Sequence, residues 1–317
     1  MGNKIWLIGA GEMAREYIKV LQGLNKEYKV IGRGEENARK IEKICGCKVE
    51  QGGLEKFLNQ KPEPCTHAIV SVGMENLYEV TKQLLIYGIK NILVEKPGAM
   101  NSWQFEELKR LTEEKTANVF IAYNRRFFAS VLKAQEIIKE DNGVTSFHFE
   151  FTEWSHIITF LKKGIDVKER WFLGNSTHVV DLAFFLGGKP LKISTFTHGR
   201  LDWHPSASIF SGAGLSENGA LFSYHANWES AGRWGIELLT RNHRLILRPL
   251  EKLQIQKKGT IEQKYYEGID YSFDEKYKPG LYFQTKKFIE NKYQGFCTIQ
   301  EQSSMIKIYC EMANYDF

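Results

Sequence analysis

Two sets of residues in this 317-residue chain have types and spacings suited to chemistry. Glu95-Lys96-Pro97 follows the apolar run Asn91-Ile92-Leu93-Val94, so Lys96 is delivered at the end of a buried strand, and Pro97 keeps its backbone out of the α conformation. Asn175, His178 and Asp181 recur at intervals of three, which places them on one face of a helix. An imidazole and an ammonium are what oxidation of an alcohol, or its reverse, requires: a base takes the hydroxyl proton as hydride departs, and a cation steadies the developing alkoxide. An imidazole titrates near neutrality without special tuning, so His178 is assigned as the acid/base. Lys96 is its electrostatic partner, or the alternate acid/base where burial disfavours its charge. Asn175 is read as an anchor for a substrate hydroxyl, and Asp181 as a group that orients or charges the imidazole.

Hydride chemistry needs a carrier, and the first eighteen residues have the form of a cradle for one. An apolar run, Ile5-Trp6-Leu7-Ile8, meets Gly9-Ala10-Gly11-Glu12-Met13-Ala14 and then a helix-like segment from Arg15 to Leu21. Strand, glycine turn and helix start are the arrangement that holds a dinucleotide pyrophosphate on unpaired helix amides. Gly9 permits the turn, Gly11 lets the backbone approach the phosphates, and Ala14 lets the helix pack on the strand. Glu12, Met13, Ser71 near the end of the third strand, and Glu95, Lys96 and Pro97 complete the expected cofactor set. The second strand ends Val30-Ile31-Gly32-Arg33-Gly34 with no carboxylate at its tip, since Glu35 and Glu36 open the next helix. Arg33 suits a 2′-phosphate, which favours NADP while NAD stays possible.

The elements that must position these groups fall into two halves. Up to about residue 121, strands (4–8, 28–32, 67–72, 91–95, 118–122) alternate with helices (14–24, 35–45, 54–60, 77–87, 102–115), which predicts a doubly wound parallel sheet, an N-terminal Rossmann domain over 1–121. Residues 122–317 form the expected second domain, an α/β unit for substrate binding and oligomerisation, its C-terminal helix free to pack back on the first. A helix over 130–139 leads into strand-like runs at 146–154, 191–197, 207–211, 220–228, 235–240, 244–249 and 253–257, predicting a large, mostly antiparallel, open-faced sheet. A helix over 175–186 interrupts them, and two more, over 280–291 and 299–314, close the chain.

Composition bounds the rest. Hydrophobic residues at 43% and charged residues at 26% exclude a disordered chain. The net charge of +5 is spread without a basic block, so nucleic acid is not an expected partner. No apolar run reaches membrane-spanning length, and Met1-Gly2-Asn3-Lys4 runs straight into the first strand, so a cytoplasmic protein is expected. Five cysteines (Cys45, Cys47, Cys65, Cys297, Cys310) form neither a disulfide framework nor a metal-spaced set, and no metal is expected.

Gly9–Ala14, Val94-Glu-Lys-Pro97, Tyr123-Asn-Arg-Arg-Phe127 and Asn175-Ser-Thr-His-Val-Val-Asp181 occur in one order, and with them the chain resembles the Gfo/Idh/MocA oxidoreductases. The resemblance implies reversible hydride transfer at a sugar or polyol carbon, with Lys96 close to the reacting hydroxyl, and a second-domain sheet that joins subunits into a homo-oligomer, dimer or tetramer. It departs from the polyol-oxidising pattern at Gly174, where those members carry aspartate, and at Tyr78, which stands for a histidine of many relatives. Asn175 matches members that act on nucleotide-linked sugars, so a nucleotide-activated sugar of surface-polysaccharide biosynthesis is the leading substrate class. The alternatives are a polyol dehydrogenase or small carbonyl reductase, and a non-catalytic cofactor sensor. Asn124 and Arg125, leaving the fifth strand, are candidates for reaching substrate or nicotinamide, with either arginine of Arg125-Arg126 equally suited to an interdomain salt bridge. Trp154, His156, Trp171, Trp203, His204, Trp228, Arg233 and Trp234 make the second half aromatic, with a role either in covering sugar rings or in core and interface.

Overall fold

The computed structural model describes residues 4–316; the segment 1–3 expected to enter the first strand, and Phe317, lie outside the described residues. Residues through Asn124 together with Phe273–Ile306 form one compact unit, and Arg125–Ser272 with the chain from Lys307 on form the other.

The first unit begins with β1 (Ile5–Ile8), α1 (Glu12–Gly23), β2 (Tyr28–Gly32), α2 (Glu35–Cys45), β3 (Val49–Gln51), α3 (Gly53–Leu58), β4 (His67–Val70), α4 (Leu77–Tyr87), β5 (Asn91–Val94), α5 (Ser102–Glu114) and β6 (Asn118–Ile121). Its sheet runs β6-β5-β4-β1-β2-β3, all parallel, with β1 between β2 and β4. Short apolar runs buried on both faces, such as Ile5–Ile8 in β1 and Ile92–Val94 in β5, need helices above and below, and the alternating crossovers supply them. The register aligns the carboxyl ends: Ile8 pairs with Ile31 and with Val70, Val70 with Val94, and Val94 with Ile121. Everything that follows a strand, namely Gly9, Arg33, Ser71, Lys96 and Tyr123, therefore leaves the same edge of the sheet.

The second unit carries α6 (Ala129–Glu140), β7 (Ser146–Glu150), α7 (Ser155–Ile158), α8 (Ile165–Glu169), α9 (Thr177–Gly187), β8 (Pro190–His198), β9 (Ile209–Ser216), β10 (Leu221–Asn227), β11 (Gly235–Leu239), β12 (His243–Leu247), β13 (Gln254–Lys257) and β14 (Lys264–Tyr265). Its eight-stranded sheet has the order β14-β13-β12-β11-β7-β10-β9-β8, antiparallel except where β7 and β10 run parallel. Period-two burial along β10, with Phe222, Tyr224 and Ala226 inside, puts one face against α9. Phe184 of α9 meets Phe149 edge-on at 5.4 Å, and a Cβ on Gly187 would lie 2.4 Å from the Phe147 ring, so only glycine lets the helix end sit there. The other face is open and carries exposed Leu191, Phe196 and Leu221.

The chain then forms α10 (Ser272–Lys276), α11 (Leu281–Ile289), β15 (Cys297–Thr298) and α12 (Ile299–Ala313). The expected division assigned 122–317 to the second domain, with the C-terminal helix free to pack back on the first. Residues 273–306 group instead with the first unit because β15 extends its sheet antiparallel to β6 and α11 packs on α1. Gly23 of α1 makes room for the Tyr277 hydroxyl, which would meet a Cβ at 2.1 Å.

Candidate active site

In the first unit the carboxyl ends of β1, β2 and β4 open into a cleft of about 340 Å³ lined by Gly9, Gly11, Arg33, Asn37, Gly53 and Ser71 among others. Gly9 has φ +127°, and a Cβ on it would lie 2.5 Å from the Ser71 carbonyl oxygen, so this position is glycine for the protein's own packing. Gly11 is different. Its backbone is extended, and a Cβ would meet no protein atom within 4 Å, so packing alone does not call for glycine there. Gly11 is also the N-cap of α1 and offers no side-chain cap, which leaves the first-turn amides to an anion. Glu12 is exposed and Met13 half-buried in that turn, whereas Ala14 is wholly buried, its small side chain serving contact with the sheet. The donor set and the open approach at Gly11 fit a dinucleotide pyrophosphate.

Arg33 leaves the tip of β2 exposed, with its stem 3.8 Å from where a Cβ of Gly53 would stand. Glu35 and Glu36 turn away into α2, paired with Arg39 and Lys40 one turn on. Neither of these two acids therefore occupies the strand tip with Arg33. Asn37, also in the cleft lining, went unread in the sequence because a lone asparagine in a helix's first turn is an ordinary residue there.

Lys96 sits in a tight turn after β5, closed by the Gly98 amide donating to the Glu95 carbonyl at 3.0 Å, with a cis Lys96–Pro97 bond. The turn is braced from below. Gln302, fully buried on α12, donates to the Pro97 carbonyl at 3.1 Å and accepts from the Tyr123 hydroxyl at 3.2 Å. Glu95 accepts from the hydroxyl of buried Tyr17 at 2.8 Å; burial raises its pKa, against the opposing pull of Tyr17 and the charges of Lys96 and Lys278. Glu95 is thus tied to α1 through Tyr17. Asn124 is buried with its amide donating to the Pro279 carbonyl at 2.9 Å. Tyr78 lies in α4, edge-on to Trp103 and bonded to Glu107, outside the cleft lining.

In the second unit the expected cluster separates. Asp181 and Arg126, each 3% exposed, form a two-pronged ion pair, with Nε to Oδ2 at 2.8 Å and Nη2 to Oδ1 at 2.6 Å. This bridge lies within the second unit, and it engages the Asp181 carboxylate expected to orient or charge the imidazole of His178. Asn175 belongs to a π-turn, Phe172–Ser176, that precedes α9, so it does not share the α-helical phase of His178 and Asp181. Its amide nitrogen donates to both oxygens of Glu153 (3.0 and 3.1 Å).

Glu153 is the residue sequence reasoning missed. It is 2% exposed, accepts a third hydrogen bond from Ser176 Oγ at 2.7 Å, and has the Arg233 guanidinium 3.7 Å away. Burial pushes its pKa up to about 7, against the opposing effects of Ser176, Arg233, Asn175 and Trp171. His178, 7% exposed, lies beside Trp234 at 6.2 Å between ring centres. Trp234 carries the guanidinium of Arg125 at 4.7 Å and that of Arg233 at 4.6 Å, and Arg233 also lies 4.6 Å from Trp154. Trp203 and Trp228 stack 5.7 Å apart around buried His204 and are core.

Among known proteins, residues 3–123 match the Gfo/Idh/MocA family model described as "Oxidoreductase family, NAD-binding Rossmann fold". A UDP-N-acetylglucosamine 3-dehydrogenase from Acidithiobacillus ferrooxidans shares the fold with a TM-score of 0.77 at 11% identity, covering 99% of this chain and 98% of its own. A levoglucosan dehydrogenase solved with NADH and L-sorbose gives 0.79 at 14% identity, covering 98% and 96%. A putative NADPH-dependent oxidoreductase from Desulfitobacterium hafniense gives 0.79 at 16% identity, covering 99% and 95%. No curated protein sequence matches significantly. Among the described residues no helix is long and apolar enough to cross a membrane.

Proposed function

We propose that the protein is an NADP-dependent oxidoreductase that transfers hydride between the cofactor and a sugar carbon, with a nucleotide-activated sugar of surface-polysaccharide biosynthesis as the leading substrate class. The observation that carries this reading is the shared sheet edge: the strand register sends the glycine turn, Arg33, Ser71 and Lys96 out of the same ends of β1, β2, β4 and β5. Ligands of open α/β sheets bind outside those ends, at the point where strand order reverses, here between β1 and β4. The bound nicotinamide supplies the hydride acceptor or donor.

The chain's own residues do the rest. First-turn amides of α1 and the bare backbone at Gly11 hold the pyrophosphate, and Arg33 holds the 2′-phosphate with its planar fork. Lys96 keeps positive charge beside the reacting oxygen, His178 takes or returns its proton, and the Asn175 carbonyl accepts a hydrogen bond from a neighbouring substrate hydroxyl. The Tyr123–Gln302–Pro97 chain of hydrogen bonds fixes the Lys96 turn. The open sheet face, with Leu191, Phe196 and Leu221, is the surface through which subunits join. The setting is the cytoplasm.

A cofactor titration tests the assignment. NADP is expected to bind roughly tenfold or more tightly than NAD, and Arg33→Asp to reverse that order. NAD bound tenfold more tightly by the native protein removes Arg33 from the 2′-phosphate.

A further inference from the structure

Arg233 precedes β11 and is about half exposed, at 46% of its side chain. Its backbone amide donates to Glu150 Oε1 at 3.2 Å, and the indole of Trp154, the residue whose ring lies against it, donates to the Gly232 carbonyl at 3.1 Å. The guanidinium is thus fixed between two indoles, 4.6 Å from each, before any ligand arrives. Among the described residues it makes no hydrogen bond, and its one ion-pair partner, Glu153, stands at 3.7 Å, beyond hydrogen-bond reach. Glu153 in turn already accepts hydrogen bonds from Asn175 and Ser176. A second indication comes from Trp234, 6% exposed, whose buried indole N–H has no hydrogen-bond partner among the described residues. A planar, preorganised fork with unused donors is what binds carboxylates and phosphates.

We propose that Arg233, held between Trp154 and Trp234 over the buried carboxyl of Glu153, receives an oxyanion of the substrate, and that Glu153 takes up a proton from solvent as that anion arrives. The word substrate rests on the oxidoreductase reading above; the anion site stands on the geometry of the second unit alone. The groups that act on Glu153 come from two sides: neutral Asn175, Ser176 and Trp171 from the segment before α9, and charged Arg233 from the turn before β11. An incoming anion draws on the charge of Arg233 and adds its own negative charge, and both effects favour the protonated carboxyl. The carboxyl is already poised for this, because burial sets its titration near neutrality. The oxyanion is either a diphosphate, as in a nucleotide-linked sugar, or a sugar carboxylate.

Binding measured by calorimetry and tryptophan fluorescence, on the full chain saturated with dinucleotide so that the cofactor cleft is closed to other anions, tests this. The probes are UDP, glucuronate and glucose. We expect UDP or glucuronate to bind, to lose roughly tenfold or more in affinity in Arg233→Gln and less in Arg233→Lys, while glucose is indifferent to both changes. Binding of UDP alone assigns a diphosphate, and binding of glucuronate alone a carboxylate. Calorimetry near pH 7 in two buffers of different ionisation enthalpy is expected to show net proton uptake in the native protein and none in Glu153→Gln. Anion binding of equal strength in Arg233→Gln, no binding of either anion, or unchanged proton uptake in Glu153→Gln overturns the proposal. Undiminished oxidation of a nucleotide-linked or carboxylate-bearing sugar by Arg233→Gln overturns it and leaves the oxidoreductase reading standing. Arg233-dependent anion binding in a protein that oxidises no sugar keeps the anion site and removes the oxidoreductase reading.

Discussion

The cleft above β1 and the polar cluster before α9 are both equipped for chemistry, but they are built from different material. The cleft is made of backbone: a helix start without a side-chain cap, an open approach at Gly11, and a glycine at 9 pressed against the Ser71 carbonyl. The cluster is made of side chains drawn from distant positions, Arg126 to Asp181 and Glu153 to Asn175, Ser176 and Arg233. Backbone sites depend on a few contiguous residues whose small size is the signal. Side-chain sites depend on tertiary burial, which can reverse what a residue type suggests on its own.

Three changes probe that difference, in decreasing order of effect. Asp181→Ala leaves the buried Arg126 guanidinium without its carboxylate and should cost about 3–5 kcal/mol of stability in denaturant unfolding. A loss under about 1 kcal/mol would mean the pair is replaceable, and that the second region is less dependent on side-chain pairing than described. Glu153→Gln should act with pH. A carboxyl whose folded pKa is raised to about 7 contributes stability that is present below its unfolded value near 4.5 and is lost as pH rises through 7. The native protein should therefore fall relative to Glu153→Gln by about 3 kcal/mol between acid and mildly alkaline solution, and parallel pH profiles would contradict the burial of that charge. Gly11→Ala is the smallest in stability and the most selective. With nothing within 4 Å to meet the new Cβ, melting should be unchanged while dinucleotide affinity drops roughly tenfold. A shift in melting of several degrees would show that Gly11 serves packing after all.

The same difference explains what could be read from the chain. The helices over 35–45 and 77–87 and the strand over 28–32 occur where the alternation of apolar runs placed them, because each is long enough to show its period. β3, β15, α7, α8 and α10, at two to five residues each, carry no such period. The Asn175, His178, Asp181 spacing reads as one helical face only if the helix is regular throughout, and the π-turn over Phe172–Ser176 breaks that phase. Glu153, within a strand-like run, has the look of a solvated carboxylate. What buries it is the segment carrying Asn175 and Ser176, twenty-two and twenty-three residues later, a relation no local pattern records. Residues 273–306 return to the first unit through α11 and β15, a closure that depends on Gly23 making room for Tyr277 and on two residues of β15 pairing with β6.

Lys96 and His178 are each proposed above to serve hydride transfer at a sugar carbon. The most direct measurement is nicotinamide fluorescence with NADPH or NADP against nucleotide sugars, free sugars and polyols, in the native protein and in Lys96→Ala and His178→Ala. Turnover with a sugar substrate is expected, with a fall in kcat of about 10²- to 10⁴-fold in each variant and dinucleotide binding retained. Near-native turnover in the double variant, or no turnover with any member of the panel, would contradict that proposal.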